Sequence, residues 1–494
     1  MKHLILDNLF KPELEDKVFI SEPFNTEKPI LTYAQFSRYV MDVVNDLKQL
    51  RPSVIALQAD NSAEWVAIDF ACQLLEKVCI PIPSFFSSSQ ALHCLRSAGV
   101  DLFLSDAPIL DDALPVMNKY KTSSLCHIKA YRLNMPTVSF PEGTQKVTFT
   151  SGSTGQPKGV CLSIDNQWQV AKSLADRVGI NACHHVGILP FSTLLENIAG
   201  IYSPLLTGGQ ITILSEQRRG LSGSSGMNLP VLLNALSETN ANSMILFPEI
   251  VSLLIMATKQ GWKVPESFKF IAVGGAKVAA DLIEKARASG LPIYQGYGLS
   301  ECGSVVALSS GENSLSSVGD ILPHVSVRLE QGEIIVTGNT FLGYLNRPES
   351  WNPTEVRTGD LGVLRAEGKT ELSVYGRNSH LIISSFGRNI SPEWVESELC
   401  SQPLFTKCVV GGSDRPHLFA LVSAPDFISH QNIQDHLDAC QSNLPDYAQV
   451  KLWHRLEESE WEGLYTDNGR PKRSLINETF KRLEESLYRT QKIA

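Results

Sequence analysis

VTFTSGSTGQPKGV, residues 147–160, joins a strand to a loop suited to gripping phosphate. The run VTFT is short, apolar and β-branched, which predicts a buried strand, and SGSTGQPKG at 151–159 switches at once to turn chemistry. Hydroxyl donors come from Thr150, Ser151, Ser153 and Thr154. Gly152 and Gly155 lack a Cβ, so their backbone N–H groups can close on an anion, and Lys158 adds a mobile positive charge against a polyphosphate. A plain Gly/Ser turn needs only the glycines; here three kinds of phosphate-binding group coincide. A Walker loop is excluded, because this stretch has no Gly-Lys-Ser/Thr.

Downstream segments add the rest of a nucleotide site. In QGYGLSECG, 295–303, the Tyr297 ring can stack on a purine, Ser300 can donate to the α-phosphate, and Glu301 is a hard oxygen ligand for the Mg²⁺ that travels with ATP. A serine-hydrolase elbow, Gly-x-Ser-x-Gly, fails at its last place, which is Cys302. Gly274, Gly275 and Ala276 follow the strand-like FIAV and leave room for backbone to pass the flat face of adenine, although a Gly-Gly pair alone reads as a turn. In RTGDLG, 357–362, Asp360 sits in a Gly-flanked turn, where its carboxylate can accept both ribose hydroxyls. TGD alone would be an ordinary Asx-turn.

The loop, these motifs and their order resemble the AMP-forming, adenylate-forming enzymes: acyl- and aryl-CoA synthetases, nonribosomal adenylation domains and luciferases. The resemblance runs from about Thr32 to the C-terminus and implies a large N-terminal multi-layer α/β domain over residues 1–375 and a small rotating α+β domain over 376–494. It also assigns roles in YGRNSHLIISSFGRNISPEWVE, 375–396. Arg377 reaches the ribose, Ser379 takes the hinge position where Asp or Lys is usual, and Gly387 leaves space for a phosphopantetheine arm. The family's closing Thr-x-x-Gly-Lys-x-x-Arg reads TDNGRPKR at 466–473, so Arg470 stands in the register of the adenylation lysine and Lys472 lies two places later. Arg and Lys are not interchangeable at a tight site, so either Arg470 does the work or the slimmer Lys472 swings in, with Lys472 the favoured candidate.

Substrate class is read from LPFSTLLENIAGIYSPLLTGG, 189–209, which resembles one wall of the family's acid pocket and includes Phe191, Thr193 and Leu195. Amino-acid-activating relatives place Asp where Leu195 stands; burying an ammonium beside leucine is costly, so an α-amino acid is disfavoured. Thr193 replaces the His of many CoA ligases, and the apolar run before Glu196 and Asn197 leans toward a fatty acid. The expected chemistry is ATP-dependent activation of a carboxylic acid, with ATP and Mg²⁺, then transfer to the thiol of CoA; loading of an acyl carrier protein is the runner-up. A degenerate nucleotide-binding regulator is the alternative of another class.

Composition is consistent with this. The 494 residues are 43% apolar, enough for two or three cored domains. A net charge of −9 argues against nucleic-acid or anionic-membrane partners. Ten cysteines without Cys-x-x-Cys fit neither a zinc nor a disulfide scaffold, and adjacent His184 and His185 diverge on a strand rather than sharing a ligand. The apolar start is soon followed by acidic residues, and the most apolar run, 244–257, is broken by Pro248 and Glu249. A cytoplasmic protein without integral membrane association is expected. Helical spacing over 33–50, a strand at VIALQAD (54–60) and further alternation to about residue 375 predict layered α/β structure. RGLSGSSGM, 219–227, is expected to be a surface loop.

Overall fold

A computed structural model describes residues 2–491 except 24–29, 108–113, 115, 121, 123, 151–156, 223–225, 368, 386–388, 403, 443 and 467–468. The helix Tyr33–Leu50 shows how local sequence sets the frame. Its apolar positions Phe36, Val40, Val43, Val44 and Leu47 recur at helical spacing and are all buried. Thr32 and Gln35 close its start as a reciprocal capping box, and Arg51 ends it in a left-handed conformation at φ 50°.

Two large sheets follow from the alternation of apolar strands with helices. Val54–Gln58 pairs in parallel with Val78–Pro81 and Leu102–Ser105 at the centre of an eight-strand sheet, which also carries the hairpin Lys146–Thr150/Lys158–Leu162. A thirteen-strand sheet has a parallel half containing His184–Gly187, Gln210–Ile213, Ser243–Leu246, Phe270–Val273 and Ile293–Tyr297. Between the sheets, the Trp168 and Tyr202 rings stack at 4.8 Å. There the Lys146 ammonium lies 2.8 Å from the buried Asp69 carboxylate and 2.7 Å from the Tyr202 hydroxyl. At this depth the Lys146 charge is offset by the carboxylate beside it and by hydrogen bonds to Asn197 and Tyr202.

The chain departs from two expectations. The α/β alternation stops at Tyr297 rather than near 375: Ala307–Leu308, Gly319–Ile321, Val325–Glu330, Glu333–Gly338, Val356–Glu367 and Lys369–Arg377 form an antiparallel run with only short 3₁₀ turns among them. Period-two patterning and tight Gly turns, such as Gly332 at φ +84°, favour hairpins there over crossover helices. Second, the stretch from 219 does not begin on the surface. Arg219 is 1% exposed, donating to Asp60 at 2.6 Å and to the Ile188 carbonyl at 3.2 Å.

Lys369–Arg377 is the last strand of the large sheet, and the 3₁₀ turn Asn378–His380 leads out of it. Beyond lies a small three-strand sheet, Lys407–Gly411, Leu418–Ser423 and Val450–Arg455. Its core includes Val395, Leu399, Val410, Ala420, Ile433 and Leu437, drawn from the strands and from the helices Pro392–Leu399 and His430–Cys440. The whole is mixed α/β, with large N-terminal sheets and a small C-terminal one. Among the described residues, no helix is long and apolar enough to cross a membrane.

Candidate functional site

The phosphate loop is the mouth of a hairpin. Thr150 and Lys158 are direct cross-strand partners at the end of a buried ladder. Ser151, Gly152, Ser153, Thr154 and Gly155 lie outside the described residues. His93 donates from Nε2 to the Pro157 carbonyl at 3.1 Å, anchoring the returning limb. At Gly159 a Cβ would stand 2.9 Å from Val147 and 3.0 Å from Leu345, so a side chain there would push the limb away.

The segments expected to meet adenosine lie where two parallel strands end together. Phe270–Val273 runs into Gly274, Gly275 and Ala276, while its neighbour Ile293–Tyr297 runs into Gly298. Gly275 has φ +84° and its α-carbon faces the Phe247 ring; at Gly298 a Cβ would lie 1.8 Å from the Ser304 carbonyl. Both positions need glycine. The Tyr297 hydroxyl donates to Asp360 Oδ2 at 2.7 Å, and Arg377 Nε meets Asp360 Oδ1 at 2.9 Å. Asp360 and Arg377 are also paired across the hairpin of Val356–Glu367 and Lys369–Arg377, which brings the two motifs together. Burial raises the pKa of Asp360, and Arg377, Tyr297 and Arg470 oppose that rise. Both carboxylate oxygens are thus occupied, so a ribose would have to share or replace these donors. Asp360→Ala is expected to raise the KM for ATP roughly ten- to a hundredfold, the worth of a charged hydrogen bond; an unchanged KM in a folded variant would reduce RTGDLG to a turn.

Ser300 and Glu301 lie on the short 3₁₀ turn Ser300–Cys302, closed by Gly303 at φ +67°. Cys302 is fully buried and takes no part in a hydrolase elbow. Glu301 accepts from the Tyr344 hydroxyl at 2.8 Å. Among the described residues, no group of three or more His, Cys, Asp or Glu could hold a metal ion. One carboxylate beside hydroxyls fits Mg²⁺ that brings most of its ligands as phosphate and water oxygens, rather than a resident metal.

The C-terminal tail enters this site through Arg470. A tight turn, with Tyr465 bridged to Pro471 and Gly469 at φ +70°, projects it so that Nη2 donates to the Gly275 carbonyl at 3.0 Å. The guanidinium faces Asp360, Glu301 and Arg377; its desolvation and Arg377 lower its pKa against the two carboxylates. Lys472 points elsewhere, donating to the Gly463 carbonyl in its own turn at 2.9 Å. In this arrangement Arg470, and not the expected Lys472, is the residue that reaches the Gly275 carbonyl. Arg473 forks onto Glu396 at 2.9 and 2.6 Å, which anchors the tail to the helix Pro392–Leu399. Ser379 is exposed in the turn Asn378–His380, and Gly387 lies outside the described residues.

On the acid side, Phe191 is buried, its ring 5.6 Å from Trp65, and its N–H donates to Asn61 at 2.7 Å. Thr193 precedes the short helix Leu194–Asn197 without capping it by its side chain, and Leu195 is half-buried against the core. Glu196 is fully buried and meets His185 Nε2 at 3.0 Å, while His184 turns to Thr212 at 2.7 Å.

A family model described as AMP-binding enzyme matches residues 13–345. The chain belongs to the AMP-binding enzyme family. The 2-succinylbenzoate–CoA ligase of Bacillus subtilis (strain 168) is 27% identical over 418 residues, 79% of this chain and 82% of that protein. The structure of o-succinylbenzoate CoA synthetase (MenE) from Bacillus subtilis, in complex with the acyl-adenylate intermediate OSB-AMP, superposes with TM-score 0.74 at 22% identity, covering 96% and 97% of the two chains. Anthranilate CoA ligase AuaEII, in complex with anthranoyl-AMP, reaches TM-score 0.78 at 17% identity over 97% and 96%. These two superpositions concern the fold.

For this AMP-binding enzyme, sequence reasoning missed Tyr344 and Lys277. Lys277 follows the glycine pair and donates to the Val374 carbonyl at 2.8 Å; burial brings its pKa down to about 8, with Glu398 and Glu393 pulling upward. The signal for Tyr344 was present as an aromatic beside glycine in TFLGYL.

Proposed function

We propose that this protein uses ATP to convert a carboxylic acid into an acyl-adenylate and passes the acyl group to the thiol of CoA. The observation that carries this reading is the seating of Arg470 on the Gly275 carbonyl, facing Asp360 and Glu301, because it brings a cation from the C-terminal tail to the nucleotide side of the site. The substrate carboxylate attacks the α-phosphorus and pyrophosphate leaves. Lys158 and Arg470 offset charge on the phosphates and the carboxylate, Asp360 and Arg377 hold the ribose, and Ser300 donates to the α-phosphate. Glu301 would hold the Mg²⁺ that accompanies ATP, which would supply further neutralisation of the phosphates when bound. In the second half-reaction the small domain, residues 376–494, turns about Ser379, withdrawing Arg470 and presenting Gly387 to the thiol.

The buried Phe191 and the Leu195 wall favour an acid with an apolar body, and the lean toward a fatty acid rests on them. A second reading, an aromatic acid such as 2-succinylbenzoate, is favoured by the identity to the Bacillus subtilis ligase. Acid-dependent exchange of labelled pyrophosphate into ATP, run with fatty acids of graded length and with 2-succinylbenzoate, decides between them. No exchange with any acid, in a protein that still binds ATP, would instead favour a nucleotide-binding regulator. CoA and a phosphopantetheinyl carrier protein are then compared as acceptors. Gly387→Trp is expected to stop thioester formation while leaving exchange intact; equal loss of both would count against domain rotation.

A further inference from the structure

Glu301 is gripped at two points by one short segment. Residues 339–345, NTFLGYL, leave the strand Glu333–Gly338 of the thirteen-strand sheet and reach the edge of the eight-strand sheet as Gly343–Tyr344, which pairs antiparallel with Lys158–Leu162. Where the segment begins, Asn166 Nδ2 donates to Asn339 Oδ1 and to the Thr340 carbonyl, each at 2.7 Å, and Asn339 Nδ2 returns a bond to the Asn166 carbonyl at 2.9 Å. The Phe341 N–H then donates to the Glu301 main-chain carbonyl at 2.8 Å, and the Tyr344 hydroxyl donates to the Glu301 carboxylate at 2.8 Å. One residue on, the Leu345 N–H donates to the Gly159 carbonyl at 2.9 Å, beside Lys158. A single run of chain therefore fixes both ends of Glu301 relative to the phosphate hairpin.

Tyr344 is itself tightly located. Its N–H donates to Ser350 Oγ at 2.9 Å, its carbonyl accepts from the Trp351 indole at 3.0 Å, and its ring meets Phe341 edge-on at 4.9 Å. Gly343 has φ +130°, and a Cβ there would stand 2.7 Å from Trp351, so only glycine lets the segment turn onto the edge strand. A donor on one carboxylate oxygen fixes the carboxylate's rotation and leaves the other oxygen to the cation.

We propose that Tyr344 is the positioning residue for the metal ligand: its hydroxyl orients the Glu301 carboxylate toward the Mg²⁺ of Mg·ATP, and the segment carrying it sets the distance from that ligand to the phosphate hairpin. The inference rests on the proposed role of Glu301. It is tested by calorimetric binding of α,β-methylene-ATP, which does not react, with and without Mg²⁺ and in the absence of acid. Tyr344→Phe keeps the ring and its contact with Phe341. It is expected to weaken binding of the Mg²⁺ complex about tenfold, the usual worth of a partner behind a metal ligand, with binding of the metal-free analogue and the melting temperature unchanged. In a Glu301→Gln background the same change should add nothing, because the two residues act as one unit. Equal weakening of both nucleotide forms, no weakening at all, or a full additional effect in the Glu301→Gln background would each overturn the proposal. If Glu301→Gln alone binds the Mg²⁺ complex as the wild type does, the metal assignment itself has failed, and that outcome is separately visible.

Discussion

Arg470→Ala is expected to lower acid-dependent pyrophosphate exchange by about a hundred- to a thousandfold, while thioester formation from preformed acyl-adenylate stays near wild type. The magnitude is that of removing one well-placed donor from a developing anion. Arg470 is the group the tail brings to the Gly275 carbonyl, with Asp360 and Glu301 drawing its charge into the site. Its planar fork suits two oxygen acceptors at once, one from the carboxylate and one from the phosphate. Lys472→Ala should be nearly silent in both assays, since its ammonium is bonded to the Gly463 carbonyl within its own turn. Arg470→Lys separates charge from shape: full rescue would mean that only the positive charge matters, and a residual loss would mean that the fork does. Impairment of Lys472→Ala rather than Arg470→Ala would show that the tail rearranges before catalysis, and loss in neither would remove the tail from adenylation.

The parts of the site that could be read from sequence are those whose chemistry is local. VTFT, the capped helix Tyr33–Leu50 and the strand Phe270–Val273 follow from periodicity and turn residues a few places apart, and they appear where expected. Contacts between distant segments were not legible in the same way. Nothing in RTGDLG says that Asp360 will be held by Tyr297 and Arg377, because that triangle depends on the register of Val356–Glu367 against Lys369–Arg377. Arg219 looked like part of a Gly/Ser-rich surface loop, yet Asp60 and the Ile188 carbonyl draw it into the interior. That Arg470 meets the Gly275 carbonyl while Lys472 bonds back to the Gly463 carbonyl depends on how the tail is seated, which residue type does not encode. In each case the missing information was tertiary pairing rather than local propensity.

Glu301→Gln is expected to lower exchange on the order of a hundredfold or more, even at saturating Mg²⁺, because a bound cation contributes several kcal/mol to a charged transition state and an amide is a poor substitute ligand. The substitution is nearly isosteric. The amide oxygen can still accept from Tyr344, and the bond from the Phe341 N–H to the main-chain carbonyl does not involve the side chain at all. The melting temperature should therefore hold, and a loss of rate can be attributed to the site rather than to the fold. The effect should also depend on the metal: with wild type, raising Mg²⁺ saturates the rate, whereas with Glu301→Gln the half-activating concentration should move upward along with the loss of maximum rate. Exchange near the wild-type level would mean that the nucleotide's own phosphates and water hold the cation unaided. Glu301 would then be a partner of Tyr344 in joining the two sheets, and the segment 339–345 would be a structural clasp rather than part of the metal site.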